Sequence, residues 1–169
     1  MSDIRNLEDA LEMIGSVGKL VGRPQEAIEL VEQISSAFKC LEVSVNNKKN
    51  GASVAYLIWD KPLMCAGAGT FIDDMLRRCG LQNVFESAEG RYPVLTREEL
   101  EEKNPDLILL SSEPFPFNEK HAGIWRQRLK HTEVKCVDGE YFSWYGSRLK
   151  KAPDYFLEFS GFPLHGPRK

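Results

Sequence analysis

Long apolar runs are missing from this 169-residue chain, and no stretch approaches the roughly 18 consecutive apolar residues that a bilayer-spanning helix needs. A basic surplus is missing too. The 22 Lys and Arg residues face 25 Asp and Glu, a net charge of -3, so no excess of cations exists to neutralise phosphates and nucleic acid is not expected as a partner. Histidine is scarce, and the four cysteines, Cys40, Cys65, Cys79 and Cys136, include no C-x-x-C pair and no histidine at ligand spacing. Neither a metal site nor a disulfide framework is signalled, and the cysteines read as plain, mostly buried thiols. The opening residues MSDIRNLEDA carry no basic segment followed by an apolar one, so the chain as written predicts a protein that stays in the cytoplasm.

What is present fits a globular unit with a real core: 42% of residues are hydrophobic and 28% charged. Leu7, Leu11, Ile14 and Val21 keep helical spacing, with Asn6 and Asp9 at capping distance, and predict a helix over 7–21. Pro24 suits the first position of a second helix, whose stripe Ala27, Val31, Ile34, Phe38 and Leu41 runs to about Glu42. The polar stretch 46–53 reads as a loop and the likeliest site of proteolysis. Beyond it, SVAYLIW (53–59), NVF (83–85), DLILLSS (106–112) and VKCVD (134–138) read as strands. Helices are predicted over 71–79, from Thr96 to Asn104, over 119–130 and over 147–159. This alternation predicts an α/β fold: a three-layer αβα sandwich around a mainly parallel, Rossmann-like sheet, preceded by two helices. The division expected is a helical segment over 1–45 and an α/β lobe over 46–169.

The stretch PLMCAGAGT, Pro62 to Thr70, is the first candidate for chemistry. Gly67-Ala68-Gly69-Thr70-Phe71-Ile72 lacks the third glycine of a dinucleotide fingerprint, and no Gly-Lys-Ser/Thr exists for a P-loop. Thr70 and Asp73 instead form a capping box for the next helix. Cys65 would need a base to act as a nucleophile, and nothing places His121, His131 or His165 beside it. Adjacent Asp73 and Asp74 do not face one another on a helix, and read as a solvated helix start rather than an acid/base pair. The residues support no enzyme.

Open α/β sheets bind ligands at the carboxyl ends of their strands. There the sequence places Trp59 to Met64, then EPFPF (Glu113 to Phe117), then GEYFSWYGS (Gly139 to Ser147), all rich in aromatic residues or proline. Repeated rings on one rim suit a surface that meets a flat or hydrophobic ligand or a partner, while Phe115, Phe117, Phe142 and Trp144 could equally cap the core.

Four ordered segments, NLEDALEMIGSVGKLVGRPQEA, PLMCAGAGTFIDDMLRRCGLQNVF, RYPVLTREELEEKNPDLILLSSEPFPF and VDGEYFSWYGSRL, resemble the substrate-binding proteins of ABC importers for cobalamin, haem and ferric siderophores. Those proteins have two α/β lobes joined by one long helix, with the ligand between the lobes. The resemblance implies that residues 7–21 are the joining helix and that the rest is the C-terminal lobe, with no covalently bound cofactor. It implies ligand contacts from Met64, from Tyr92 in the turn RYPVLT, and from Glu140, Tyr141, Phe142 and Trp144. It also implies that Glu98, in the first turn of its helix, docks onto arginines of the permease. A periplasmic or cell-surface place follows from the resemblance, against the cytoplasmic expectation above. With the N-terminal lobe and any export signal missing, the chain reads as a lobe of a longer protein. The alternative is a stand-alone cytoplasmic interaction or assembly domain, able to pair with a second copy through the exposed rim.

Overall fold

The computed structural model describes residues 3–46 and 51–159. Helix α1 (Leu7–Leu20) starts where the Asn6 side chain accepts the Asp9 N–H at 2.8 Å, satisfying one of the donors a helix start leaves free. Helix α2 (Pro24–Asn46) continues four residues past the expected end at Glu42, because Val45 still packs against the core and no breaker intervenes. Ala27, Ile34, Phe38 and Leu41 are buried as the stripe requires. Residues 47–50 of the expected loop, His165 and the Gly/Pro-rich tail from 160 lie outside the described residues.

Six strands form the sheet: β1 (Ser53–Asp60), β2 (Leu63–Cys65), β3 (Gln82–Asn83), β4 (Val94–Leu95), β5 (Leu107–Ser111) and β6 (Glu133–Val137). Their order is β4-β2-β1-β5-β6, and β3 pairs with the first residues of β1. The pairs β1–β3, β1–β5 and β5–β6 are parallel; β1–β2 and β2–β4 are antiparallel. Every residue of β5 is buried, as a strand covered on both faces must be.

Because side chains alternate along a strand, the sheet feeds two separate cores. Val54, Tyr56, Leu107 and Leu109 join α1, α2, α3 (Phe71–Arg78), α6 (Glu140–Ser143) and α7 (Ala152–Phe156) on one face. Ala55, Leu57, Ile108 and Leu110 join α4 (Arg97–Lys103) and α5 (Glu119–Arg128) on the other. Helix layers on both faces of a mostly parallel sheet make the expected αβα sandwich.

The strand expected over 83–85 is only the two-residue β3, Gln82–Asn83, and other elements depart from the sequence expectation as well. The stretch Pro62 to Thr70, for which no strand was expected, contains β2, which with β4 extends the sheet by short antiparallel strands; three and two residues are too few for periodicity to show. The loop after β6 contains the one-turn helix α6. The closing helix is divided into a 3₁₀ turn over Ser147–Lys150 and then α7, where Pro153 near the start has no N–H to continue the earlier turn.

A charged joint holds α1 and α2 to α3. Arg78 donates to Asp74 Oδ2 at 2.8 Å, to Glu8 of α1 at 2.7 Å and to Glu42 of α2 at 3.1 Å. The same Asp74 oxygen accepts the Leu7 N–H at 2.9 Å. Burial works against the Arg78 charge, but the Asp74 and Glu8 carboxylates outweigh it and hold its pKa above the ordinary value.

Candidate functional site

The stretch Pro62 to Thr70 is a scaffold rather than a reactive loop. Cys65 is fully buried, and burial pushes its thiol up to about 12, far from nucleophilic thiolate. Thr70 accepts the Asp73 N–H at 3.0 Å and donates to the Gly67 carbonyl, closing the start of α3. Asp73 and Asp74 are buried there, not solvated as expected. Asp73 accepts from Asn83 Nδ2 at 2.9 Å, and Asp74 is held between Leu7 and Arg78. Two carboxylates in that first turn make it a poor seat for phosphate.

Gly67 has a specific task. Its N–H donates to the Arg91 carbonyl at 2.8 Å and Cys65 N–H donates to the Pro93 carbonyl, so this stretch carries the turn that bears Tyr92. A β-carbon at Gly67 would lie 3.0 Å from the Gly90 carbonyl oxygen and 3.2 Å from Pro93 Cδ, so any side chain there would press the 90–93 turn back by a few tenths of an ångström.

At the carboxyl ends of β1 and β5 lies a cavity of about 560 Å³, lined mainly by apolar side chains. Met64 and Ile72 form part of its wall, and Tyr92 and Trp144 stand at it half exposed, at 46% and 52%. A register shift between Leu57 and Trp59, where β1 has one residue more than β2, places Ile58 and Trp59 on the same wall. Burial raises the pKa of the Tyr92 phenol although Arg91 opposes the shift, so it remains a neutral donor and acceptor. Arg91 itself is held by Asp3 at 2.7 Å.

Glu113 ties two loops of the rim together. Trp144 Nε1 donates to its Oε1 at 2.7 Å, and Ser143 Oγ lies 2.6 Å from the same oxygen. Its backbone carbonyl accepts from Ser111 Oγ, which in turn accepts from Tyr56 OH at 3.1 Å. The indole is therefore oriented through the core of the sheet.

The other expected ligand residues lie elsewhere. Phe142 is fully buried against Tyr56 and Phe156, with ring centroids 5.0 and 4.8 Å away, and caps the core because the turn of α6 points it inward. Tyr141 stacks on Tyr155 at 4.5 Å with the Arg148 guanidinium over its ring. Glu140 Oε2 lies 2.8 Å from Arg148 Nε. None of these three lines the cavity. Phe117 is also buried, and of the two rings in that loop Phe115 alone stays partly exposed, edge-on to Trp59. Glu98 projects from the first turn of α4, its side chain 74% exposed and 3.9 Å from Arg128. Among the described residues no group of three or more His, Cys, Asp or Glu could hold a metal, and no helix is long and apolar enough to cross a membrane.

A family model described as periplasmic binding protein matches residues 2–132. The chain belongs to the periplasmic binding protein family. Solved structures carry the same fold. A possible iron-binding (periplasmic solute-binding) protein from Staphylococcus epidermidis ATCC 12228 has a TM-score of 0.78 at 20% identity, covering 92% of this chain and 62% of that one. The periplasmic haem-binding protein RhuT from Roseiflexus sp. RS-1 gives 0.77 at 21%, covering 94% and 64%. The periplasmic vitamin B12 binding protein BtuF of Vibrio cholerae gives 0.79 at 16%, covering 94% and 63%. The chain thus spans a little over three fifths of the length of these relatives. No curated protein matches it.

In this periplasmic binding protein, sequence reasoning singled out Met64, Tyr92 and Trp144, placed Trp59, Glu113, Pro114 and Ser143 in the rim loops without giving them a role of their own, and missed Ile58 and Ile72 as lining residues. Glu113 had a signal: it is the one carboxylate in the run EPFPF at a strand end. Ile72 had none, because a helical apolar residue reads as core.

Proposed function

We propose that this chain is one lobe of a substrate-binding protein for ABC-type import, with α1 as the helix leading to a second lobe, and that it binds without catalysis. The ligand class is a corrinoid, haem or ferric siderophore, and the protein works in the periplasm or at the cell surface. The observation that carries the reading is the apolar cavity at the strand ends, with Met64, Tyr92, Trp59 and Trp144 around it, in a chain of this family. Flat aromatic and thioether surfaces suit a large, partly apolar chelate.

The lobe assignment has its own support. Val17 and Leu20 of α1 and Val21 just after it are exposed, and a groove of about 320 Å³ between α1 and α2 runs past Met13 and Leu30 to Tyr145, beside Trp144. Such an apolar face adjoining the ligand rim is what a second lobe, supplying the remaining length of the solved relatives, would cover. Glu98 is the proposed contact to the permease.

Titrating the chain with cyanocobalamin, haemin and a ferric siderophore while following tryptophan emission tests the reading, because Trp59 and Trp144 line the cavity. Saturable quenching by one of them is expected. Trp144→Ala should weaken that binding by about 1–3 kcal/mol. Absence of any saturable response would sink the ligand assignment.

A further inference from the structure

The cavity is nearly devoid of charge, with one exception. Of its lining residues Ile58, Trp59, Met64, Ile72, Tyr92, Pro114, Ser143 and Trp144 carry no formal charge, and Glu113 does. No Lys or Arg lines it. Arg91, next to Tyr92, is bound to Asp3, and Arg148, beyond the Trp144 loop, is bound to Asp138 at 2.6 Å.

The Glu113 carboxylate is placed with care. Oε1 receives the Trp144 indole N–H and stands within hydrogen-bond distance of Ser143 Oγ. Among the described residues Oε2 has no hydrogen-bond partner, and a carboxylate oxygen can only accept. Filling the cavity strips water from that oxygen, and a carboxylate oxygen left without a donor in an apolar surround is costly. A ligand edge bearing N–H groups offsets that cost, and more so if it is cationic. An anionic edge adds repulsion at reduced dielectric, so the same residue attracts one class and rejects another.

We infer that this wall selects a metal chelate whose contacting edge is uncharged or cationic and rich in N–H donors, such as an amide-bearing corrinoid or a hydroxamate chelate with a free ammonium, and discriminates against carboxylate and catecholate anions. Glu113 is the residue that sets this preference. The inference rests on the ligand-site reading above and assigns that site's polarity.

Equilibrium dialysis of the 169-residue chain against four coloured probes separates the possibilities: cyanocobalamin, ferrioxamine B with its ammonium group, haemin, and the trianionic ferric enterobactin. At least one of the first two should bind more tightly than both of the last two. Glu113→Gln keeps an acceptor for Trp144 and Ser143 but removes the charge. It should lower affinity for ferrioxamine B about tenfold, the loss of one charge-assisted hydrogen bond, while leaving affinity for the anions unchanged or raised. Tighter binding of haemin or ferric enterobactin by the unaltered chain overturns the polarity and leaves the ligand site standing. Equal loss for all four probes in Glu113→Gln reduces Glu113 to a support for Trp144 and also overturns it. Failure of all four to bind removes the site, and this inference with it.

Discussion

Cys65 and Cys79 are both buried, and burial raises both thiols far out of the reactive range, whereas Cys40 and Cys136 are exposed. Native alkylation at pH 8 should therefore label Cys40 first. Cys136 should follow slowly, since partial burial and the Glu119 carboxylate raise its pKa. Cys65 and Cys79 should stay unlabelled until the chain unfolds; mass spectrometry of peptides reads this directly, and early labelling of Cys65 would contradict its burial. Residue-level function was legible in proportion to how local its cause is. The start of the helix expected from Thr96 could be read from four consecutive positions, and there Thr96 and Glu99 cap one another reciprocally. That Trp144 faces a cavity while Phe142, two residues earlier, fills the core depends on the turn of α6, which no pattern in GEYFSWYGS announces.

Among the elements, α1 depends on two devices that can be tested separately. One is the Arg78–Asp74 pair of α3: the arms of Arg78 to Glu8 and Glu42 reach exposed carboxylates and contribute little, while its bond within α3 fixes the buried Asp74 that accepts the Leu7 N–H. Arg78→Ala leaves buried Asp74 with only the exposed Arg77, 3.6 Å away, as a cation and should cost about 1–3 kcal/mol in urea unfolding. Removing both groups should cost less than the sum of the two single losses. The other device is Gly18, where a β-carbon would come within 2.2 Å of the Ala27 β-carbon, so α1 and α2 touch nearly backbone to backbone. Gly18→Val should force them apart, lowering stability by about 1–3 kcal/mol; an unchanged melting temperature would refute so close a packing. Helices with caps and stripes were legible almost to the residue. The end of α2 and the break before α7 were not, because Val45 packing and the placement of Pro153 are decided by what lies against them.

For the molecule as a whole, the strands β1 and β5 lie at the centre of the sheet with helices on both faces. Amide exchange should be slowest at 54–57 and 107–110, and fastest among described strands at the two-residue β4 on the sheet edge. Rapid exchange in β5 would be inconsistent with a shared core. The layered α/β class was legible because apolar strands alternate with capped helices. The antiparallel extension through β2 and β4 was not, although it is what brings Met64 and the Tyr92 turn to the cavity. The Arg78 joint also has a mechanical side. A pull along α1 reaches α3 by one sheltered bond, the Leu7 N–H on Asp74, and one wet ion pair, Glu8 with Arg78. Salt screens the wet pair far more than the sheltered one, so the stiffness of α1 against the rest of the molecule has a part that the surrounding medium can tune and a part that it cannot.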